Sequence, residues 1–203
     1  MNENVRLAVL ISGSGTNLQS IIDNCANGSI PAQVALVISS HEDAYGLVRA
    51  RQAGIDTIVY RRKEFPDGQA ADDYLLSVLD KYRIDLIALA GYLKMVPPAI
   101  ISRFRHRIVN IHPGLLPHYG GKGMYGHFIH EAVIRNKEKE TGVTIHIVDE
   151  IYDHGQVLAV EKVPVFPEDT PDELAARVLK MEHALYPKVL KEMIERLIKE
   201  KKV

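Results

Sequence analysis

An alternation runs through the first half of this chain and limits its fold more than any other feature. Val5-Arg6-Leu7-Ala8-Val9-Leu10-Ile11 is a nearly continuous apolar run that stops at Ser12-Gly13-Ser14-Gly15-Thr16-Asn17. That is the pattern of a buried parallel strand feeding a glycine-rich turn. Leu18, Ile21, Ile22 and Cys25 then fall on one helical face, and Asn27-Gly28 ends the helix. The pattern recurs as a strand over 32–38, a helix over 44–53 stopped by Gly54, a strand over 55–60, a helix over 70–82 and a strand over 84–90. Repeated βα units predict an α/β fold: an open, mostly parallel, Rossmann-like sheet with helices on both faces.

The second half changes character. Val109-Asn110-Ile111-His112-Pro113-Gly114-Leu115-Leu116-Pro117 reads as a strand whose polar residues sit at its carboxyl end, where open α/β sheets place their chemistry. A capped strand end with a solvated histidine fits the same residues. Tyr119–Gly126 holds four glycines in eight residues and predicts a mobile loop. A helix follows over 127–136, with Ile129, Ala132, Val133 and Phe128 facing inwards. Gly142–Val148 alternates like a strand, with Thr144 and His146 on one face. An acidic loop over 149–155 and a last strand over 156–164 complete an antiparallel C-terminal strand pair, with Asp153 on the loop between. Thr170-Pro171-Asp172-Glu173 opens the final helix with a capping box. Leu174, Val178 and Met181 form its apolar stripe, with Glu182 toward one flank, and Pro187 is expected to kink or interrupt it. Lys199–Lys202 reads as a solvated tail.

Composition narrows the function classes. The 203 residues suffice for a single domain spanning 1–203, and the formal charge of -1 argues against a nonspecific nucleic-acid binder. One cysteine, Cys25, allows no internal disulfide, and its place on an apolar helix face suggests a core thiol. The first residues lack the plan of a signal peptide, and no apolar run reaches membrane-spanning length. A cytoplasmic enzyme or binding protein, with no membrane or nucleic-acid partner, is the expectation.

Gly13-Ser14-Gly15 fails the dinucleotide fingerprint, because Leu18 stands where a small residue is needed, and it fails the Walker motif, which needs a following Lys. Gly15, Thr16 and Asn17 at a helix N-terminus still suit a phosphate, although a plain tight turn explains them too. The apolar loop Gly91–Pro98 suits a flat aromatic ligand or an ordinary strand-to-helix connection. No metal is expected: His127 and His130 lack the i, i+4 spacing of a metalloprotease helix.

Together, Ser12–Leu18, Asn110–Pro117 and Asp153-His154-Gly155 resemble the folate-dependent formyltransferases, over Val5 to about Leu190. Ser-Gly-x-Gly-Thr-Asn and Met181–Pro187 point within that family to the branch that formylates phosphoribosylglycinamide in de novo purine biosynthesis. The resemblance implies two small-molecule substrates, phosphoribosylglycinamide and the co-substrate 10-formyltetrahydrofolate, and a monomer or homodimer. It makes Asn110, His112 and Asp153 catalytic. It gives the phosphate to Gly15, Thr16 and Asn17, and the ribose end to Glu182. It gives the folate ring to Leu93, Lys94, Met95 and Val96, together with Asn110 and the loop before Asp153. Asn110 and a protonated His112 would then stabilise the oxyanion, with Asp153 keeping His112 charged and moving the proton.

Three positions depart from the family pattern. Gly68 stands where relatives often carry an Arg before the third helix. Lys94 replaces a frequent Arg, keeping the charge but losing the planar fork. The Tyr119–Gly126 loop is longer than in many relatives. Three other readings share parts of the pattern. Methionyl-tRNA formyltransferase would need a further RNA-binding domain, formyltetrahydrofolate hydrolase normally has an extra N-terminal domain, and a noncatalytic phosphosugar-binding protein would not call for Asn, His and Asp together.

Overall fold

The computed structural model describes residues 4–201. Its frame is one seven-stranded sheet in the order β3-β2-β1-β4-β5-β6-β7. The strands β1 (Val5–Ile11), β2 (Ala32–Ser39), β3 (Thr57–Val59), β4 (Leu86–Leu89) and β5 (Ile108–His112) run parallel. The last two, β6 (Glu140–Ile147) and β7 (Val157–Pro164), pair antiparallel beyond β5. The chain therefore steps outward from β1 to β3 and returns to place β4 on the other side of β1. That reversal opens a crevice at the carboxyl ends of β1 and β4, where such sheets bind ligands. Ser12 spans it: its hydroxyl accepts from the Leu93 N–H at 2.8 Å and lies 2.7 Å from the Ser40 hydroxyl.

Helices cover both faces, as the βα alternation predicts. One apolar core joins β1, β5 and β6 to α1 (Thr16–Ala26), α2 (Tyr45–Gln52), α5 (His127–Arg135) and α6 (Pro171–Glu200). A second core, on the opposite face, gathers α3 (Gly68–Lys81) and α4 (Pro98–Arg103). β1 feeds both, with Val5, Leu7, Val9 and Ile11 on one side and Ala8 and Leu10 on the other. This is why its sequence is apolar throughout.

Several boundaries differ from the sequence expectation. β3 is only three residues long, because it lies at the sheet edge and, among the described residues, pairs with β2 alone. α3 begins two residues early, at Gly68, because the Asp67 side chain caps it by accepting from the Ala70 N–H at 2.8 Å. Phe128 does not face inwards: it is 52% exposed and stacks edge-on against Tyr125. β6 is buried along nearly its whole length rather than alternating, since α5 and α6 cover one side and loops the other.

The sharpest correction concerns Pro187, which does not interrupt α6. The helix runs 30 residues and Pro187 is buried within it. Proline lacks the N–H that would bond the carbonyl four residues earlier, that of His183. The Ser20 hydroxyl of α1 donates to that carbonyl at 3.3 Å and replaces the missing bond. At the far end of α6, Lys201 reaches Asp85 at 2.6 Å rather than ending as a free tail, while Lys202 lies outside the described residues.

Candidate active site

A cleft of about 670 Å³ lies at the carboxyl edge of β1, β4 and β5. Its first wall is the turn after β1. Gly15 caps α1 with φ of 71°, and a Cβ there would meet the Gly46 Cα at 2.6 Å, so glycine is required by both backbone sign and space. The turn is braced from α2: Gly46 N–H donates to the Gly13 carbonyl, and the Arg49 Nε–H to the Ser14 carbonyl at 2.9 Å. Ser14, Thr16 and Asn17 line the cleft, whereas Gly15 shapes the turn from behind. Among the described residues no side chain caps α1, which leaves its first amides open toward the cleft.

Glu182 enters this wall from α6. It is 7% exposed, buried rather than on a flank, and accepts from the Asn17 Nδ2–H at 3.0 Å. Burial pushes its carboxyl up to about 7, against the lowering effect of that hydrogen bond. Asn17 Oδ1 is buried and has no partner among the described residues.

The polar centre is built by strand register. Asn110 on β5 lies directly opposite His146 on β6, and a bulge between Ile145 and His146 in the β6–β7 pairing turns that end of the strand. The His146 Nδ1 lies 2.9 Å from the Ile147 carbonyl, which can only accept, so Nδ1 carries hydrogen. In the neutral ring Nε2 is then an acceptor, and it receives the Asn110 Nδ2–H at 3.1 Å. The second Asn110 amide hydrogen points to Asp153 Oδ1 at 3.5 Å, a long contact that a ligand oxygen can take over.

Asp153 sits on the β6–β7 loop with φ of 52°, a left-handed conformation that Asp tolerates better than most residues. The loop closes through Gly155, where a Cβ would meet the Ile147 carbonyl oxygen at 1.9 Å. Asp153 Oδ1 stands 3.6 Å from both His112 Nδ1 and His146 Nε2, and Oδ2 accepts from the Gly121 N–H at 2.9 Å. Burial works to raise its carboxyl, but His146, His112 and Gly121 outweigh it and hold the group below the usual range. His112 is 4% exposed, and burial lowers its ring below the ordinary histidine value despite the opposing effects of Asp153 and the Tyr119 carbonyl. That carbonyl lies 2.6 Å from Nε2, so Nε2 carries hydrogen and Nδ1 is the nitrogen left for chemistry.

The remaining expected residues separate. Leu93 lines the cleft and is 44% exposed, whereas Lys94 and the 48%-exposed Met95 stand outside the lining and Val96 is buried in the α3–α4 core. Tyr92 and Tyr152 line this side instead; each lies in a loop the sequence offers to a flat ligand, Gly91–Pro98 and the segment before Asp153, although neither side chain is singled out there. Gly68 adjoins the Arg62 guanidinium, which pairs with Asp72 at 3.1 Å. His146 and His130 were also missed as site residues, although the alternation in β6 already placed His146 on the Thr144 face. Among the described residues, no three His, Cys, Asp or Glu side chains group as metal ligands, and no helix is long and apolar enough to cross a membrane.

A mostly parallel sheet with an uncapped helix N-terminus and an Asn–His–Asp cluster at its switch point defines a class, and the family comparison gives its name. The formyl transferase family model matches residues 5–190, and the chain belongs to that family. Among its relatives is the phosphoribosylglycinamide formyltransferase of Haemophilus influenzae, 47% identical over 92% of this chain and 85% of that protein. The chloroplastic phosphoribosylglycinamide formyltransferase of Arabidopsis thaliana is 43% identical over 96% of this chain and 67% of its own length. In structure, glycinamide ribonucleotide transformylase 1 of Symbiobacterium toebii superposes with a TM-score of 0.88 at 41% identity, covering 95% of this chain and 88% of that one.

Proposed function

We propose that this protein transfers the formyl group of 10-formyltetrahydrofolate to the amine of phosphoribosylglycinamide, as one formyltransferase domain working in the cytoplasm, monomeric or homodimeric. The observation that carries the reading is the convergence of Asn110, His112 and Asp153, with His146 against Asn110 and Asp153, at one point of the cleft that also holds the open amides of α1. The relatives' names supply the acceptor and the group transferred, and membership of the formyl transferase family supports a formylfolate as donor.

The α1 N-terminus, with Thr16 and Asn17, holds the substrate phosphate, and Glu182 accepts from the ribose hydroxyls. Leu93, Tyr92 and Tyr152 offer apolar surface to the pteridine, with Val96 backing the loop from the core and Lys94 and Met95 at its outer edge. The bound formylfolate supplies an electrophilic carbon and a nitrogen leaving group. When the amine attacks that carbon, its oxygen becomes negative, and Asn110 Nδ2–H and protonated His112 Nδ1–H donate to it. Asp153 favours the charged form of His112, accepts a proton from the amine nitrogen as the new C–N bond forms, and returns it to the departing nitrogen as the old one breaks. No covalent bond to the protein is made.

The test is formyl transfer to phosphoribosylglycinamide measured against release of free formate. Transfer should dominate, and formate release alone would favour a hydrolase. Asp153→Asn and His112→Ala should each lower kcat by at least about 100-fold, the scale of a lost general base or oxyanion donor, with KM little changed. Near-native turnover in either variant would remove that residue from the mechanism.

A further inference from the structure

Helices α5 and α6 bring three polar side chains to the cleft: His127, His130 and Glu182. His127 is engaged outside it, 3.2 Å from Glu131 and 3.4 Å from Asp172. His130 is different: it is 4% exposed, and its Nδ1 is shut off from solvent with no hydrogen-bond partner among the described residues. Its Nε2 is not among the sealed-off atoms, has no hydrogen-bond partner among the described residues and belongs to a residue that lines the cleft, so it is the nitrogen a cleft ligand can reach.

The tautomer follows from that isolation. Burial, with His127 and His112 close by, pushes the His130 ring down to about 4, so it is neutral near pH 7 and carries one hydrogen. An orphaned buried N–H is rarer than an orphaned acceptor, so the hydrogen belongs on Nε2, the nitrogen not sealed into the wall. The side of the sheet decides which molecule it meets. α5 shares its core with α1 and α6, the helices that carry Thr16, Asn17 and Glu182. Tyr92 and Val96 belong with the other core.

We propose that His130 is a binding residue for the phosphorylated amine substrate, with its Nε2–H donating to an oxygen acceptor of that molecule. The proposal rests on the function proposed above, and direct binding separates the two. Calorimetric titration of phosphoribosylglycinamide, without any folate, should give a Kd about tenfold weaker for His130→Phe, which keeps a ring but no donor. His130→Gln, which restores a donor near the Nε2 position, should recover most of the loss. In turnover, His130→Phe should raise KM for the amine, leaving kcat and the KM for 10-formyltetrahydrofolate within about twofold. In the wild-type protein, the His130 Nε2–H resonance should move on adding phosphoribosylglycinamide, a readout that needs no variant to fold. Equal Kd values for wild type and a folded His130→Phe, a rise confined to the formyl-donor KM, or an unmoved resonance in the saturated wild type would overturn this inference alone. Absence of binding to the wild type would overturn the function reading and this inference with it.

Discussion

Both nitrogens of His112 face acceptors, the Tyr119 carbonyl at 2.6 Å and the Asp153 carboxylate at 3.6 Å. A neutral ring satisfies only the first, so its Nδ1 lone pair looks toward a negative charge. Burial disfavours the cation at rest, and a second negative charge on a formyl oxygen would tip the balance toward it. A ring kept neutral by burial beside a carboxylate becomes easier to protonate when that charge develops. Burial favours the neutral form of Glu182 too, which in an acid means a raised carboxyl, and this makes a stability prediction. The unfolded chain ionises this group near 4.5 and the folded chain near 7. Its contribution is therefore fully present below about pH 4.5 and is lost as pH rises through 7. Glu182→Gln, which stays neutral, should gain stability over wild type across that window, reaching on the order of 3 kcal/mol at pH 8. Urea unfolding at pH 4.5, 6 and 8 measures it, and a difference independent of pH would show that Glu182 is not held neutral by burial.

At the scale of elements, α6 ties the site together. Its Tyr186 hydroxyl, fully buried, lies 2.9 Å from the Leu89 carbonyl and 3.0 Å from that of Val109, which pins the helix to β4 and β5 immediately before Asn110. One turn earlier it delivers Glu182, and Pro187 is tolerated because α1 answers the carbonyl it leaves open. Ser20→Ala should therefore cost about 1 kcal/mol in wild type and clearly less when Pro187 is also Ala, since the alanine N–H restores the bond within the helix. A double-mutant cycle read by chemical denaturation gives the coupling, and additive effects would mean that Ser20 does not serve the proline. The glycine-rich loop has a comparable link to the site. Gly121 N–H holds Asp153 Oδ2, so the loop ahead of α5 bears directly on the carboxylate.

Across the whole molecule, the two cores meet at β1, and α6 packs against α1, α5, β1, β6 and β7. Proposed as one domain, the chain should unfold in one cooperative step, with far-UV and near-UV circular dichroism melting together. Two separated transitions would instead divide the βα half from the β5–α6 half.

The βα order, the strand-end placement of Asn110 and His112, the glycine turn ahead of α1 and the Thr170–Glu173 capping box were all legible in the residues, because each depends on a short-range period or on neighbours within a few positions. Other features were not legible, because they depend on which distant segments meet. Asn110 and His146 are 36 positions apart and become partners through the register of an antiparallel pair. Glu182 reads as a flank residue on its own helix and is buried because Asn17 of α1 stands against it. Pro187 reads as a break until Ser20 is placed beside His183. Local chemistry names a residue's capabilities; long-range packing sets its solvent, its partner and hence its charge.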